Sequence, residues 1–214
     1  MRIILLGAPG SGKGTQSRFI TNRYKIPQIS SGEILRSLLK EDSVLSKKIK
    51  KFMNFGILVP DDLIISLIKN RIQKNDCLDG FLLDGFPRTV FQANYMKKQG
   101  IKIDFVFEIL VPDDVIINRI IGRRIHLRSG RVYHVMFNPP KQNNIDDITG
   151  DPLIIRGDDK IEILNNRLFE YHKKSLFLID FYKYESYINN IKFYKIDGTK
   201  EIFEVHNLLS NILD

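Results

Sequence analysis

The stretch Gly7-Ala8-Pro9-Gly10-Ser11-Gly12-Lys13-Gly14-Thr15 decides the fold of this chain. It follows a short apolar run, Arg2 to Leu6, which has the length and composition of a buried strand. It leads into a segment, Gly14 to Tyr24, that we interpret as a helix. In this order, the glycines let the backbone wrap around phosphates with its N–H groups turned inward, while the helix N-terminus and Lys13 add positive charge. The sequence therefore predicts a phosphate-binding loop (a P-loop) at the end of the first strand.

The residue after the lysine departs from the general form of such loops. The general pattern has Ser or Thr directly after the lysine, where the hydroxyl binds Mg²⁺. Here Gly14 occupies that place, and the hydroxyl comes one residue later, on Thr15. We therefore expect Mg²⁺ to be held mainly by phosphates and water, an arrangement that this ion tolerates well.

A second motif, Phe81-Leu82-Leu83-Asp84-Gly85-Phe86-Pro87-Arg88, carries the candidate metal residue. The apolar strand Phe81 to Asp84 delivers a carboxylate at its C-terminal end, where a P-loop enzyme uses one to orient Mg²⁺ or its waters. Taken alone, a strand-end aspartate would equally suit an ordinary turn. Beside the phosphate loop, we interpret Asp84 as a Mg²⁺ residue that acts through water. Arg88 follows at the edge where ligands bind in open α/β sheets.

The rest of the chain alternates strands with helices. Two more strands are predicted, at 105–110 and 193–196, and helices are predicted over 33–40 (with Ser31 as N-cap), 43–55, 60–74, 89–99, 112–121, 158–184 and 201–213. This alternation indicates an α/β fold in which a parallel sheet is flanked by helices. Segment 122–157 interrupts it with turn signals and short β-rich pieces, which predict a small antiparallel insertion and a candidate lid.

Composition excludes several classes of protein. The 214 residues are 43% hydrophobic and 27% charged, which suffices for one sizeable core and gives no sign of disorder. The lone cysteine, Cys77, excludes an internal disulfide framework and suits a reducing compartment. The four consecutive apolar residues near the start are too few for a signal peptide, and no run approaches the roughly 18 that a membrane span needs. We expect a soluble, cytoplasmic protein.

The net charge of +8 suits either a nucleic-acid surface or a pocket for polyanionic small molecules. The densest basic run is Lys47-Lys48-Ile49-Lys50-Lys51, where Ile49, Phe52 and Met53 recur at helical spacing. We interpret the run as the solvated face of a helix. No basic segment is interleaved with aromatic residues as in an RNA-binding surface, so neither nucleic acid nor a membrane is an expected partner.

The stretches GAPGSGKGT (7–15) and LLDGFPRT (82–89) resemble the nucleoside-monophosphate kinases, and the long-lid adenylate kinases in particular. The resemblance covers essentially the whole chain and continues, in the family's order and spacing, through 30–36, 122–124, 129–134, 156–159 and 195–199. It implies a cis peptide between Phe86 and Pro87. It also implies a P-loop core domain with a helical monophosphate-binding segment and a small antiparallel β lid, with the boundaries 1–29, 60–121 and 160–214 for the core, 30–59 for the segment and 122–159 for the lid.

The resemblance further implies a monomeric enzyme that catalyses reversible, Mg²⁺-dependent phosphoryl transfer from ATP to AMP, giving two ADP. Such a transfer brings two polyanionic chains together, so cations in a dry site must cancel their repulsion and stabilise the transferred group. Guanidinium groups suit the task because they are planar, permanently charged and bidentate. By resemblance, the catalytic set is Lys13, Asp84, Arg88, Arg123, Arg156 and Arg167.

Binding residues follow from the same resemblance. The ATP-binding set is Gly10, Ser11, Gly12, Lys13, Gly14, Thr15, Arg119, Arg123, Val132, Tyr133 and Lys200. The AMP-binding set is Ser31, Arg36, Ile57, Leu58, Val59, Gly85, Phe86, Pro87, Arg88, Gln92, Arg156 and Arg167. Within these sets Arg119 lies against the adenine of ATP, and Ser31 and Gln92 face the base of the monophosphate.

No general base and no structural metal are expected. The acceptor is an anionic phosphate oxygen, so no hydroxyl needs deprotonation, and the chain's four histidines have no catalytic role. Some family members hold Zn²⁺ in the lid with four cysteines, whose matching positions here are His126, Ser129, Asp146 and Thr149. Because hydroxyl groups are poor zinc ligands, we expect a hydrogen-bonded polar cluster instead.

Three alternatives remain at this point. A kinase of CMP or UMP would share the fold, although by resemblance such enzymes usually have a short lid. A P-loop NTPase that acts as a switch is disfavoured by Gly14 after Lys13 and by the arginine-rich lid. A basic RNA-binding protein lacks the expected aromatic-interleaved segment.

Overall fold

A computed structural model describes all 214 residues, Met1 to Asp214. Eight strands are present: β1 Arg2–Leu6, β2 Gln28–Ser30, β3 Phe81–Asp84, β4 Phe105–Leu110, β5 Arg123–His126, β6 Val132–His134, β7 Leu153–Ile154 and β8 Lys192–Asp197. Nine α-helices are present: α1 Lys13–Tyr24, α2 Ser31–Leu38, α3 Val44–Phe55, α4 Asp61–Ile72, α5 Val90–Lys98, α6 Asp113–Ile121, α7 Ile161–Glu170, α8 Leu176–Ile188 and α9 Ile202–Leu213.

Five strands form a parallel sheet in the order β2-β3-β1-β4-β8. The central strand β1 is buried on both faces: Ile4 and Leu6 pack into the larger core cluster on one side, while Ile3 and Leu5 pack into a second cluster on the other. Because the strands run in one direction, their carboxyl ends meet at a single edge, where ligands bind in folds of this type. The predicted α/β fold with a parallel sheet is confirmed. Strand β2 was not predicted, since its three residues are too few to show a pattern.

A second, smaller sheet lies within the interrupting segment. Strand β5 pairs antiparallel with β6 and with β7, in the order β6-β5-β7. The predicted antiparallel insertion is therefore confirmed. It connects α6 to α7, which pack on each other, so the insertion projects from a helical base.

The prediction that Ser31 caps α2 was wrong by one residue. Ser30 is the N-cap: its backbone is extended (φ −97°, ψ 115°), and its Oγ accepts a hydrogen bond from the backbone N–H of Glu33 at 3.4 Å. Ser31 already belongs to the helix, and its hydroxyl donates to the carbonyl oxygen of Gly85 at 2.6 Å. This bond ties α2 to the loop that follows β3.

The long helix predicted over 158–184 contains an interruption. Helices α7 and α8 are joined by one wider, π-helical turn at Tyr171–Ser175, a feature that often marks a functional site. The hydroxyl of Ser175 donates to the backbone carbonyl of Arg88 at 3.0 Å. The π turn thereby connects the helix to the same loop after β3.

The basic run of α3 lies on the helix surface. Its four lysines are exposed and Ile49 is fully buried, which confirms the interpretation of a solvated helix face. None of the helices combines the length and the apolar composition that crossing a bilayer requires.

The environment of His206 on α9 should make the stability of the fold depend on pH. Its ring stacks on Phe19 with the centroids 4.0 Å apart, and its Nε2 is buried without a partner. Burial lowers the pKa of His206 from the usual 6.5, so protons bind the unfolded chain more tightly than the folded one. The contribution of His206 is complete above about pH 6.5 and is lost as the pH falls through that value towards the lower folded-state pKa. We expect Tm to fall from this source on acidification.

Melting curves at about pH 7.5 and pH 5.5 check this prediction. His206→Phe retains an aromatic stack and should lose less Tm on acidification than the natural chain. His172→Gln, which removes an exposed histidine paired with Asp113, is the matched control. Equal losses in the natural chain and in His206→Phe would contradict the prediction.

Candidate active site

The phosphate loop connects β1 directly to α1. Gly12 ends it in a left-handed conformation (φ 98°), and Lys13 is the first residue of the helix. Gly7 is required by close packing, because a Cβ there would lie 2.6 Å from the carbonyl oxygen of Ile109 on β4. The loop therefore lies tightly over the edge of the sheet, with the N-terminus of α1 available to an anion.

The ammonium group of Lys13 is held against the loop. Its Nζ donates to the carbonyl oxygens of Gly7 and Ala8, both at 2.7 Å, and to Ser11 Oγ at 3.4 Å. Burial lowers the pKa of Lys13 to about 8; Asp84 opposes the shift, and nearby arginines add to it. An ammonium group that is costly to keep charged gains strongly from a phosphate placed beside it.

A cavity of about 750 Å³ opens in front of the loop. It is lined by every residue of the predicted ATP-binding set: Gly10, Ser11, Gly12, Lys13, Gly14, Thr15, Arg119, Arg123, Val132, Tyr133 and Lys200. It is also lined by seven residues of the predicted AMP-binding set: Arg36, Leu58, Gly85, Pro87, Arg88, Arg156 and Arg167. A smaller cavity of about 70 Å³ adjoins it and is lined by four more: Ser31, Ile57, Val59 and Gln92. Phe86 lines neither cavity, because its side chain is 1% exposed and packs in the core.

Besides Arg18 of α1 and Arg119 of α6, five arginines line the large cavity: Arg36 of α2, Arg88 after β3, Arg123 of β5, Arg156 after β7 and Arg167 of α7. Burial lowers the pKa of both Arg88 and Arg156 to about 10, and the positive charges of neighbouring arginines add to the shift. Burial also lowers the pKa of Arg167. Crowded, partly desolvated cations of this kind form a site for a polyanion.

Two carboxylates that were not predicted as site residues partly balance these charges. Arg123 donates to Asp159 through Nε, at 2.8 Å, and through Nη2. Arg167 Nη1 donates to Asp158 Oδ2 at 3.3 Å. Burial alone would raise the pKa of Asp158, but the arginines around it outweigh burial and hold the pKa below its usual range. The Arg-Gly-Asp-Asp run at 156–159 was the available signal, since it places both acids beside a predicted arginine.

Asp84 lies at the carboxyl edge of the parallel sheet. In the sheet register it is level with Leu5 and Ser30. Its Oδ2 accepts a hydrogen bond from Gln28 Nε2 at 3.2 Å and would lie 3.9 Å from a Cβ on Gly14. The carboxylate therefore faces the start of α1. No group of three or more His, Cys, Asp and Glu side chains is arranged to hold a metal ion. A single carboxylate beside a phosphate loop fits a Mg²⁺ ion whose other ligands are phosphates and water.

The two predicted base-facing residues lie in a hydrogen-bonded network. Gln92 is 2% exposed; its Oε1 accepts from the backbone N–H of Arg88 at 2.7 Å, and its Nε2 donates to Asp61 Oδ1 at 2.6 Å. Arg88 Nη2 donates to Ser31 Oγ at 3.4 Å. The network fixes the orientation of the Gln92 amide. Asp61 was not predicted as part of it, because the partner is distant in sequence and reached only through the packing of α4 on α5.

A polar cluster lies in the antiparallel insertion, between the end of β5 and the loops that follow β5 and precede β7. His126 Nδ1 lies 2.7 Å from Ser129 Oγ, and Thr149 Oγ1 donates to Asp146 Oδ2 at 2.9 Å. Asp146 also accepts from Arg131 Nε at 2.8 Å, and this guanidinium holds the pKa of Asp146 well below its usual range. The side chains at the four positions 126, 129, 146 and 149 thus already make hydrogen bonds within the antiparallel insertion.

The sequence of the chain is also similar to that of known proteins. The sequence model of the family described as adenylate kinase matches residues 5–187. The chain belongs to the adenylate kinase family. The adenylate kinase of Photorhabdus laumondii subsp. laumondii is 54% identical over 214 residues, which span the whole of both chains.

Family membership confirms the resemblance seen in the sequence. An adenylate kinase is an ATP:AMP phosphotransferase, so the chain is a kinase that binds nucleotides, and the pyrimidine-kinase and switch alternatives are not favoured. The peptide between Phe86 and Pro87 is cis, as the resemblance implied.

Proposed function

We propose that this adenylate kinase transfers the phosphoryl group within the large cavity, with ATP on the phosphate loop and AMP at the smaller adjoining cavity. The observation that carries the proposal is the convergence of five arginines from three segments on the space in front of Lys13. Two nucleotides placed there would have their phosphate chains between the loop and the arginines. Direct transfer needs such positioning and charge stabilisation, and it needs no covalent intermediate.

On the ATP side, the backbone N–H groups of residues 10–15 and the N-terminus of α1 bind the phosphates. Lys13 exchanges its contacts with loop carbonyls for phosphate oxygens, whose negative charge favours its charged form. Arg119 of α6 and Lys200 after β8 line the same side of the cavity and are proposed to border the adenine.

On the AMP side, Arg36 and Arg88 bind the monophosphate, and Gln92 reads the base. Arg88 is well placed because its Nε donates to the carbonyl oxygen of Gly85 at 2.7 Å, which fixes the guanidinium plane. The backbone N–H of Arg88 orients Gln92 Oε1. The position of the residue that binds the phosphate therefore affects the residue that binds the base. Arg123, Arg156 and Arg167 stabilise the charge of the group in transit.

We propose Mg²⁺ as the cofactor, with Asp84 as the protein residue that holds it through water. When bound with ATP, the ion supplies charge neutralisation at the phosphates. In the lid, the hydroxyl-containing set His126, Ser129, Asp146 and Thr149 favours hydrogen bonding over zinc, so no structural zinc is proposed.

The chain is proposed to act as three parts. The core comprises residues 1–29, 60–121 and 160–214, the monophosphate clamp comprises 30–59, and the lid comprises 122–159. Closure of the lid over ATP excludes water and so limits hydrolysis. Arg36 of the clamp lies 3.8 Å from Asp158, and Arg123 pairs with Asp159 within the lid itself, so closure of the clamp onto the lid adds a cation beside this pair. The unit of function is proposed to be a monomer.

The test is ADP formation from ATP and Mg²⁺ with each of AMP, CMP, UMP and GMP. We expect strong turnover with AMP and weak turnover with the others. Preference for a pyrimidine would retain the reaction but contradict the assignment of Ser31 and Gln92. ADP production that needs no monophosphate would contradict the transfer mechanism itself.

A further inference from the structure

Arg18 connects the core to the tip of the lid. It lies on α1, five residues after Lys13, and its Nη2 donates to the backbone carbonyl of Ser129 at 3.0 Å. The two residues are 111 positions apart in the chain. Ser129 belongs to the turn between β5 and β6, and its hydroxyl is part of the polar cluster of the lid.

The same contact also involves the monophosphate clamp. A Cβ built on Gly130 would lie 2.4 Å from Arg18 Nη2 and 3.7 Å from Glu33 Oε1 of α2. The core, the clamp and the lid therefore meet at Gly130. Arg18, Glu33 and Gly130 all line the large cavity, so their junction lies on its wall.

The charges around the hydrogen bond between Arg18 and Ser129 favour a contact that forms and breaks reversibly. Burial lowers the pKa of Arg18; the carboxylate of Glu33 opposes this shift, and the positive charge of Arg131 adds to it. The lid thus presents both an acceptor, the Ser129 carbonyl, and a like charge, Arg131. A charged donor on a neutral carbonyl stabilises a closed arrangement without locking it.

We propose that Arg18 is a positioning residue that latches the closed lid onto the core, beside the carboxylate of Glu33. The latch requires no bound nucleotide, because both its donor and its acceptor belong to the protein. It therefore sets the fraction of lids that are closed before ATP binds. A ligand that binds under a closed lid has an apparent affinity proportional to that fraction.

The experiment measures the distance between two labels by single-molecule fluorescence, without nucleotide. Ile148→Cys in the lid and Tyr187→Cys in the core provide exposed sites (73% and 87%), and the natural Cys77 is buried. Arg18→Gln is compared with Arg23→Gln, which removes an arginine of the same helix that forms an exposed ion pair with Asp214 and lies over the ring of the neighbouring Tyr24. We expect Arg18→Gln to lower the ratio of closed to open lids about fivefold and Arg23→Gln to leave it unchanged.

Kinetics give a second readout that rests on the proposed function. KM for ATP should rise in Arg18→Gln in proportion to the measured loss of the closed fraction, at most about fivefold, while kcat does not fall, since lid opening often limits turnover in enzymes with lids. Glu33→Gln should act in the same direction and add little to Arg18→Gln in the double variant. Melting curves that match those of Arg23→Gln confirm that the variants are folded.

An unchanged lid distance distribution in a folded Arg18→Gln variant overturns the latch. So does an equal shift in Arg23→Gln. Failure of AMP phosphorylation in the natural chain would overturn the proposed function but would leave the distance measurement intact, so the two failures are distinguishable.

Discussion

Lys13→Met is expected to lower kcat by about a thousandfold or more, because it removes the one ammonium group held at the phosphate loop. Methionine has a similar length and no charge. The backbone N–H groups and the helix dipole remain, so nucleotide binding should weaken less than turnover falls. Steady-state ADP formation, together with a direct ATP-binding titration, measures the two effects separately.

The structure also supplies a control and a pH dependence for Lys13. Lys98→Met changes an exposed lysine at the end of α5 and should leave kcat unchanged. In the natural chain, the lowered pKa of about 8 means that the free enzyme carries the Lys13 charge below that pH and loses it above. We therefore expect kcat/KM for ATP to decline above about pH 8. A Lys13→Met variant that is folded and retains more than about a tenth of kcat would contradict the assignment.

Arg88→Lys is expected to lower kcat about a hundredfold although it preserves the charge. Arg88 donates through Nε to Gly85 and through Nη2 to Ser31, which leaves the remaining N–H groups of a fixed plane for phosphate. A lysine ammonium group is a single compact donor site, so it cannot hold the loop and bind phosphate with the same geometry. KM for AMP should rise as well, while KM for ATP changes little.

Arg71→Lys is the matched control for this substitution. Arg71 also makes a two-point contact, to Asp76 at 2.9 and 2.7 Å, but it lines neither cavity. It should affect stability slightly and kcat not at all. Equal activity of Arg88→Lys and Arg71→Lys would show that Arg88 acts as a point charge and not as a bidentate ligand.

The fold could be predicted from local motifs, because the structure of each motif depends on residues that are adjacent in the chain. Strand, glycine loop and helix over 2–24 follow from apolar periodicity and backbone freedom, and the structure places them within a residue of the prediction. The same holds for Phe81–Asp84, whereas segment 122–157 was predicted only as an antiparallel insertion made of short β-rich pieces. Short elements without periodicity, such as β2, escaped because three residues carry no repeat.

The N-cap of α2 and the π turn were less predictable from the sequence. For the N-cap, two neighbouring serines are equally suitable. Ser30 and Ser31 both have the chemistry of an N-cap. The outcome depends on Gly85, more than 50 positions away in the sequence, which accepts the hydroxyl of Ser31 and leaves Ser30 to cap the helix. The π turn at 171–175 likewise reflects a distant contact, from Ser175 to Arg88.

The sequence alone determined which chemistry this protein carries: the phosphate loop, the strand-end Asp84 and the supply of arginines are written in contiguous motifs. Only the tertiary structure decided how those charges are paired. Three contacts illustrate this: Arg167 with Asp158, Gln92 with Asp61, and Arg18 with Ser129. In each of them, the two residues are far apart in the chain or lie on different elements. The physical reason is that a side chain's charge and hydrogen-bonding capacity are local properties, whereas its partner is set by how helices and strands pack around the common edge of the sheet.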